Sequence, residues 1–252
     1  MKLLTLNLRH DEDRWPERSE LVLEELVREH PDVIAFQEVA LHIDQAHFIA
    51  DKLNAKSTKR PYHVFLESKG GPQPEEGIAF LTDMKVVGHA RIELPEGDRV
   101  AQFIRVEEDG ETYDIVNTHL HHLPKDDESI RLKQIRILLD WMYQKANQKC
   151  RWLLAGDLNA KPHSSTVNEV KKRLKSAFLS VHGVEPDFTF PTPLVSGTGE
   201  WYQPRTLDYI FFDPSAFRIE EAYLAFTRPH RQDERLFPSD HYGLAAKLFR
   251  LE

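Results

Sequence analysis

The chain has 252 residues, and its 41 acidic and 33 basic side chains give a formal charge of −8 with neutral histidines. Apolar residues make up 40% and charged residues 29%, so the chain can bury a core and a disordered chain is excluded. The negative charge also argues against broad, sequence-independent attraction to a polyphosphate, which draws on clustered lysine and arginine.

Neither a membrane span nor a secretion signal is expected. The longest uninterrupted apolar run covers residues 222–226, far short of the roughly 20 residues that a spanning helix needs. The first apolar segment, after Met1 and Lys2, is too short for a signal-peptide core. The one cysteine, Cys150, can form no internal disulfide, which favours a cytoplasmic protein. The sequence indicates no obligate protein partner.

The first part of the chain alternates strand and helix patterns. No composition break or repeat divides the chain, so we expect a single domain over residues 1–252. The apolar run after Pro31 is typical of a buried strand, and Pro16 stands near the start of a helical pattern. The predicted elements here are a strand at 1–8, a helix at 17–30, a strand at 32–36 and a helix at 41–55.

The middle of the chain changes to short strands joined by turns. The clearest turn covers residues 108–111, because Asp109-Gly110 between two strand patterns is typical of a tight hairpin. The predicted strands cover residues 62–66, 77–82, 85–94, 100–107 and 112–119.

The last part combines the strongest helix with further strands. This helix runs from Asp127 to about Asn147, with Asp126 or Asp127 as its N-cap. Mixed strands in two sets, with helices at intervals, predict two stacked sheets covered by helices on the outside. The other predicted elements are a strand at 151–155, a helix at 164–174 and strands at 207–212, 219–227 and 242–249.

Carboxylates stand at the ends of several apolar strands. Glu38, Asp157 and Asp240 each follow such a segment, and Asp208 opens another. A buried acid costs free energy unless it is paired or binds a cation, so these four acids predict a shared site at one edge of the sheets. Oxygen ligands without a second cysteine favour magnesium, with manganese or calcium as alternatives, over a structural zinc ion.

Polar neighbours extend this set. Asn159 lies two residues after Asp157, and residues at i and i+2 of an extended segment share a face. His241 follows Asp240 and offers a base for proton transfer near neutral pH. Taken alone, each acid could be a turn residue or a helix N-cap.

The histidines at 119–122 allow a competing interpretation. His119 and His121 could form the His-x-His metal motif of amidohydrolase barrels or metal-dependent phosphatases. Those folds place the motif on an early strand, whereas 118 residues precede it here. We therefore interpret His119 as a hydrogen-bond donor to a phosphoryl oxygen, and His121 and His122 as exposed loop residues.

Seven short motifs occur in order along the chain. They are Leu4-Thr5-Leu6-Asn7, Gln37-Glu38, Glu76-Gly77-Ile78-Ala79, Thr118-His119-Leu120, Gly156-Asp157-Leu158-Asn159, Leu207-Asp208-Tyr209-Ile210 and Ser239-Asp240-His241. In this order they resemble the endonuclease/exonuclease/phosphatase superfamily, which includes DNase I and exonuclease III, over nearly the whole chain. The resemblance implies an α/β fold of the DNase I-like kind, a four-layer α/β/β/α sandwich whose two stacked mixed sheets are flanked by helices.

The resemblance also implies a metal site and a set of catalytic groups. The implied ligands of a magnesium (or manganese) ion are Glu38, helped by Asn7 and Asp240. The implied catalytic residues are Asp157 and Asn159 at the attacking water, His119 at a nonbridging oxygen, and His241, steadied by Asp208, as base or transition-state stabiliser. A metal and positioned donors of this kind stabilise the charge that develops when a phosphodiester is attacked.

Substrate-binding candidates follow from the same resemblance and from composition. Arg131, on the helix after His119, sits where several relatives carry an arginine; it could reach a phosphate or be solvated. In the loop at 189–205, the side chains of Trp201, Tyr202 and Arg205 could stack on a base or pack the loop against the sandwich. The basic stretch at 171–175 is more typical of a solvated helix face than of a nucleic-acid contact.

The sequence as a whole predicts a magnesium-dependent phosphodiesterase whose substrate is nucleic acid. The segment 117–119 differs from the Tyr and Asn of abasic-site repair enzymes, which disfavours that activity. Its histidine resembles that of sphingomyelinases, deadenylases and tyrosyl-DNA phosphodiesterases. The alternatives are a phosphatase or phosphodiesterase for a small-molecule or lipid-headgroup phosphoester, and a catalytically inactive binding module with the same fold.

Overall fold

The computed structural model describes residues 1–56, 60–123, 127–145, 151–195, 197, 199 and 202–251. Within these residues the strands form two six-stranded sheets. The first sheet contains β1 (Lys2–Asn7), β2 (Val33–Ala40), β3 (His63–Ser68), β4 (Glu76–Thr82), β11 (Phe217–Ala225) and β12 (Gly243–Arg250). The second contains β5 (Lys85–Glu93), β6 (Val100–Glu108), β7 (Glu111–His119), β8 (Trp152–Asp157), β9 (Lys175–Ser176) and β10 (Asp208–Phe212).

Both sheets are mixed, and each keeps parallel strands at its centre. The strand orders are β11-β12-β1-β2-β4-β3 and β5-β6-β7-β8-β10-β9, with β1 parallel to β2 and β7 parallel to β8. The helices are α1 (Trp15–Glu29), α2 (Gln45–Lys56), α3 (Ser129–Lys145), α4 (Ser165–Lys171) and α5 (Ala177–His182). None of the helices described is long and apolar enough to cross a membrane.

The buried side chains separate into three layers of core. The strand residues of β2 show why: Val33 and Ala35 face the second sheet, while Ile34 and Phe36 face the helices, as the two-residue period of a strand requires. One core lies between the sheets, a second between the first sheet and α1 and α2, and a third between the second sheet and α3 and α4. The predicted four-layer α/β/β/α arrangement is confirmed.

Several predicted element boundaries differ from the observed ones. Helix α2 begins at Gln45 rather than at residue 41, because the Gln45 side-chain oxygen accepts a hydrogen bond from the Ala40 amide and closes a turn. The predicted helix at 164–174 ends at Lys171, and the sequence patterns predicted neither β9 nor α5. The hairpin at Asp109-Gly110 is confirmed, with positive φ at both residues.

The strand register brings candidate site residues to one rim. Asn7 pairs with Gln37 across β1 and β2, and Asp157 pairs with His119 on one side and Asp208 on the other. Below the rim the Gln37 amide donates to Asn117 at 2.7 Å and so links the two sheets.

Candidate active site

Asp157 lies at the centre of the rim, as the last residue of β8. Its side chain is almost fully buried, and its two oxygens accept hydrogen bonds from the Asn7 amide at 3.1 Å and from the Asn159 backbone N–H at 2.8 Å. Burial, and then the neighbouring Asp208 carboxylate, raise the pKa of Asp157 to about 6. Asp157 is therefore placed to take up a proton near neutral pH.

Glu38 approaches Asp157 from the other sheet. It sits in a β-bulge of β2 with φ of 50°, a conformation that turns its side chain out of the regular pleat toward the rim. The Asn7 amide donates to Glu38 Oε1 at 3.0 Å and thus touches the carboxylates of both sheets. Burial, followed by the charges of Asp240 and Glu76, raises the pKa of Glu38 to about 7.

Asp240 is held at the rim by an arginine that the sequence patterns did not single out. Arg9, in the loop after β1, donates to Asp240 Oδ2 at 2.6 Å. Next to it, the Ser239 hydroxyl donates to the Asn7 backbone carbonyl at 2.6 Å and joins the last motif to the first strand. The segment carrying Asp240 is thereby fixed against the end of β1.

His241 and Asp208 form a buried ion pair. His241 Nδ1 lies 2.8 Å from Asp208 Oδ2, and the Thr189 hydroxyl donates to the same oxygen at 2.6 Å. Burial alone would lower the pKa of His241, but the charges of Asp208, Asp240 and Asp157 raise it to about 10. The imidazole is charged at neutral pH, and its Nε2 faces Asp157 Oδ2 at 3.9 Å.

His119 enters the site from β7 in the opposite protonation state. Arg99 NH1 lies 3.0 Å from His119 Nδ1, and a guanidinium can only donate, so Nδ1 accepts and the ring proton lies on Nε2. Burial and then the Arg99 charge lower the pKa of His119 well below its usual value. The Nε2–H points into the site, 3.7 Å from Asp157 Oδ2 and 3.8 Å from Glu38 Oε1.

Asn159 lies beside His119 at the rim. Its backbone has a φ of 48°, which folds the segment back so that Nδ2 donates to the Leu120 carbonyl at 3.1 Å. The same nitrogen lies 3.1 Å from His119 Nε2, so the two side chains are in contact. His119 and Asn159 therefore lie side by side next to Asp157.

The donor set at the rim fits a hard divalent cation. Burial raises the pKa of Glu38, and the nearby charges of Asp240 and Glu76 raise it further, so a cation at this place would be stabilised by several acidic groups. Buried Asp208 Oδ1 accepts no hydrogen bond from the described residues, and oxygen and nitrogen atoms of Asp157, Asp208 and His241 lie within 4.8 Å of one another. Glu38 and Asp240 offer carboxylate oxygens, whereas Asn7 directs its amide nitrogen to the carboxylates and its oxygen to the Arg9 N–H.

Two of the predicted substrate-binding residues lie in the described part of the loop. The Arg205 guanidinium stacks on Phe190 at 4.9 Å, and the Phe190 ring lies 4.9 Å from the ring of His241. Burial lowers the pKa of Arg205 although the Asp157 charge opposes this shift, so Arg205 is within electrostatic reach of Asp157. Tyr202 lies against Gly197 in its own loop, and Trp201 falls outside the described residues.

The other candidates, Arg131 and the basic stretch at 171–175, contact neighbouring parts of the fold. Arg131 is buried and donates to the backbone carbonyls of His121 at 3.3 Å and Asp127 at 3.0 Å, so it braces the segment before α3. In the basic stretch at 171–175, Lys172 pairs with Glu169 at 2.9 Å. The sequence analysis did not single out Arg9, Arg99, Thr189 or Phe190. Only Arg99 had a recognisable signal, because it is a basic residue directly before a buried strand.

The chain matches a family model described as "Endonuclease/Exonuclease/phosphatase family" over residues 4–241. It is 29% identical to nocturnin of Xenopus laevis over 256 residues and 26% identical to nocturnin of Homo sapiens over 255 residues, in each case over 92% of this chain. The match spans 64% of the frog protein and 57% of the human protein, so the chain corresponds to only part of these relatives.

Solved structures share the fold. The human nocturnin catalytic domain with bound sulfate has a TM-score of 0.78 at 23% identity, covering 100% of this chain and 93% of that one. Danio rerio TDP2 in complex with a single-strand DNA product has a TM-score of 0.80 at 18% identity and 99% and 98% coverage. A mannosyl-6-phosphatase of Bacteroides thetaiotaomicron has a TM-score of 0.77 at 18% identity, with 99% of both chains covered. With the family model matching from β1 to His241, the chain has the DNase I-like fold and belongs to the endonuclease/exonuclease/phosphatase family of phosphoesterases.

Proposed function

We propose that the chain is a magnesium-dependent phosphodiesterase whose substrate is nucleic acid. The observation that carries this proposal is the convergence of the two sheets at the rim, where His119 Nε2 lies within 3.8 Å of both Asp157 and Glu38 and the Asn7 amide donates to both carboxylates. Buried carboxylates next to directed N–H donors suit a reaction in which water is activated and a phosphoryl group gains negative charge.

Glu38 and Asp240 would hold the metal ion, with Asn7 as a further ligand after rotation of its amide. When bound, the ion supplies Lewis acidity to the phosphoryl group, with magnesium favoured by the oxygen donors and manganese as the alternative. Its positive charge would also oppose the effects of burial and of the charges of Asp240 and Glu76, which together raise the pKa of Glu38.

Asp157 would accept the proton of the attacking water. Its pKa of about 6 leaves it ionised at neutral pH yet basic enough to take a proton. The Asn159 backbone N–H fixes one carboxylate oxygen, so the other faces the site, where Asn159 would orient the water and the phosphoryl group.

The two histidines would bind the phosphoryl oxygens from different sides. His119 is neutral and donates from Nε2, while His241 is charged and donates from its own Nε2 because Asp208 holds Nδ1. A charged donor stabilises the developing negative charge more strongly than a neutral one. His241 would then serve as the transition-state stabiliser and Asp208 as its positioning residue.

Nucleic acid is the favoured substrate because of the groups beside His241. Phe190 and Arg205 form a stacked pair at the edge of the site, and such pairs bind bases. Tyr202, and Trp201 beside it in sequence, would extend this surface, and we also keep Arg131 as a candidate phosphate contact. The structural neighbour TDP2 holds a single-strand DNA product.

A small-molecule or lipid-headgroup phosphoester is the second candidate. The net charge of −8 disfavours a long polyanion, and a mannosyl-6-phosphatase has the same fold. A binding module without activity is the alternative of another class. A protein that only binds its ligand would not need Asp157, His241 and Asp208 all in contact with one another, which disfavours this alternative.

A substrate panel with two variants tests the proposal. Single-stranded DNA, RNA, duplex DNA and phosphorylated sugars or headgroups are incubated with the enzyme in magnesium. Asp157→Asn is expected to lower kcat by about 10³-fold or more, as loss of the group that activates the attacking water does. Asp213→Asn, a buried acid at the far end of β10, serves as the control and keeps full activity.

The outcomes separate the candidates. Turnover of headgroup or sugar phosphates alone would contradict the nucleic-acid substrate. Full activity of a folded Asp157→Asn variant would contradict the mechanism, and no turnover of any phosphoester would favour the binding module. We further propose a cytoplasmic location, consistent with the lone Cys150, and a single domain over residues 1–252 without an obligate protein partner.

A further inference from the structure

A second group of metal-ligating side chains lies outside the candidate active site. His10 and Asp11 belong to the loop after β1, and His42 belongs to the turn after β2. His10 Nδ1 lies 2.6 Å from Asp11 Oδ1, and His42 Nε2 lies 3.1 Å from Asp11 Oδ2. One ligand atom of each residue lies within 4.8 Å of the others.

The hydrogen bonding of His10 turns Nδ1 toward Asp11. His10 Nε2 lies 3.0 Å from the Glu75 backbone carbonyl, which can only accept, so Nε2 carries a proton. Nδ1, the other ring nitrogen, faces an Asp11 carboxylate oxygen at 2.6 Å. A metal ion bound between these two atoms would take the place of a proton there. Metal-binding histidines commonly donate their other ring N–H to a backbone carbonyl in this way.

The backbone around His10 is held in place before any ligand arrives. The His10 N–H donates to the Glu38 carbonyl at 2.9 Å, and the His10 carbonyl accepts from Gln45 at 2.8 Å. The buried Arg18 guanidinium donates to several carbonyls of the same loop, including those of Leu8 and Glu12. Little ordering of the loop is therefore needed for binding.

We propose that His10, Asp11 and His42 form a second metal site for a borderline transition-metal ion such as Zn²⁺. Two imidazoles and one carboxylate suit zinc, whereas magnesium prefers oxygen ligands. Ligand atoms of a tetrahedral zinc ion lie about 3.3 Å apart, so the shortest contact would open by about 0.7 Å. Water would take the fourth position.

Such an ion would fasten two loops that carry parts of the active site. The loop after β1 also contains Arg9, which holds Asp240, and His42 follows Glu38 by four residues. The proposed site is separate from the phosphoester chemistry, so it stands independently of the proposed function.

A metal titration of the whole 252-residue chain tests the site. With magnesium in excess, Zn²⁺ binding is followed by calorimetry and Co²⁺ binding by visible absorption. The wild-type chain is expected to bind one more zinc ion than His42→Ala, or to bind it at least tenfold more tightly. The cobalt spectrum of a tetrahedral site should be lost in His42→Ala.

His47→Ala is the matched control. His47 is as exposed as His42 and also lies beside an acid, at 2.6 Å from Asp44, but it belongs to no three-residue cluster in the described chain. It should bind zinc like the wild type. Equal stoichiometry and affinity in wild type and His42→Ala would overturn the proposal, as would an equal loss in His47→Ala. A metal-free melting curve of each variant checks that it is folded. His10→Ala removes the ligand from the other loop and should lose the zinc site in the same way as His42→Ala.

Discussion

Arg99 illustrates how one side chain sets the state of another at the rim. By donating to His119 Nδ1 it leaves the proton on Nε2, the nitrogen that faces Asp157 and Glu38. Arg99 also pairs with Glu76 at 3.3 Å and is itself buried, so the contact does not depend on a mobile surface group. The donor role proposed for His119 therefore rests on Arg99.

Replacing Arg99 by Met should lower kcat about 10- to 100-fold, the usual effect of removing a group that orients a functional histidine. The physical reason is that Nδ1 loses its donor, so the proton can occupy either ring nitrogen of His119. The ¹⁵N chemical shifts of the His119 ring would report this mixture directly.

Arg105→Met is the control for this prediction, since Arg105 lies in β6, the strand that Arg99 directly precedes, but pairs with Asp114 away from the rim. It should leave kcat and the His119 shifts unchanged. An Arg99→Met enzyme with wild-type kcat and an unaltered Nε2–H tautomer would contradict the assigned role.

Arg9 would compete for Asp240 with the metal ion proposed above. Its guanidinium lies 2.6 Å from Asp240 Oδ2, so Arg9→Gln should strengthen magnesium binding roughly threefold to tenfold, allowing for partial solvent screening. The measurement is the magnesium concentration at half-maximal rate. Arg14→Gln, a more exposed arginine near the end of the same loop, should leave it unchanged; equal shifts in both variants would indicate a general charge effect.

The sequence predicted the carboxylates at the rim but not Arg9 and Thr189, which donate to two of them. Glu38, Asp157 and Asp208 stand beside buried strands, and this local pattern is visible without a structure. Arg9 meets Asp240 across 231 positions of the chain, and Thr189 reaches Asp208 from an irregular segment. Such contacts depend on tertiary packing, so no local periodicity indicates them.

At the scale of elements, β8 needs a glycine directly before Asp157, its last residue. A Cβ at Gly156 would lie 2.0 Å from the Thr118 carbonyl of β7, and its φ of 137° is unfavourable for other residues. Gly156→Ala should therefore lower the free energy of unfolding by about 3 kcal/mol and displace Asp157. Denaturant unfolding measures the first effect and kcat the second.

Gly110→Ala separates backbone strain from the clash. Gly110 also has a positive φ, of 80°, but an added Cβ there would contact nothing within 4 Å. Its substitution should cost about 1 kcal/mol, the value for strain alone. If the two variants lost the same free energy of unfolding, the clash between β7 and β8 would not be the reason that a glycine is needed at position 156.

The elements were predictable where burial leaves a continuous pattern. The run 33–36 is wholly buried, and the hairpin at Asp109-Gly110 has its own turn chemistry. Boundaries were wrong where a side chain closes the backbone, as Gln45 does before α2. The short α5 was missed because six residues carry less than two turns of helical periodicity.

At the scale of the whole molecule, the active-site candidate depends on the stacking of two sheets. Asn7 and Glu38 belong to the first sheet, Asp157 and His119 to the second, and the Asn7 amide crosses between them. The order of motifs along the sequence predicts that these residues share an edge. It does not predict how closely the carboxylates approach, which depends on the packed distance between the layers.

The burial of these carboxylates and their closeness to one another predict an unusual pH dependence of stability for the metal-free chain. The pKa of Glu38 rises from 4.5 to about 7 on folding and that of Asp157 from 3.8 to about 6, so the folded state binds more protons in these windows. Stability then falls as the pH rises through them. The pKa of His241 is raised from 6.5 to about 10. Its contribution to stability is therefore complete below pH 6.5 and is lost as the pH rises toward 10. The lowered pKa of His119 opposes the carboxylate shifts until about pH 7, so melting curves in chelator should show Tm decreasing from about pH 7 to pH 9.

Magnesium should oppose this loss because a bound cation favours the ionised carboxylates. We expect Tm at pH 8 to rise with magnesium concentration, as for any ligand that binds only the folded state, and to rise little at pH 5 where Glu38 is protonated. Glu38→Gln should reduce the metal-free loss of Tm above pH 5, because it removes one charge from the crowded rim, and should abolish most of the magnesium effect. Glu67→Gln, an acid of β3 paired with Arg91, is the control and should behave as the wild type. A metal-free Tm that increases between pH 7 and pH 9, or a magnesium effect that survives in Glu38→Gln, would show that the carboxylates of the two sheets do not form one cation site.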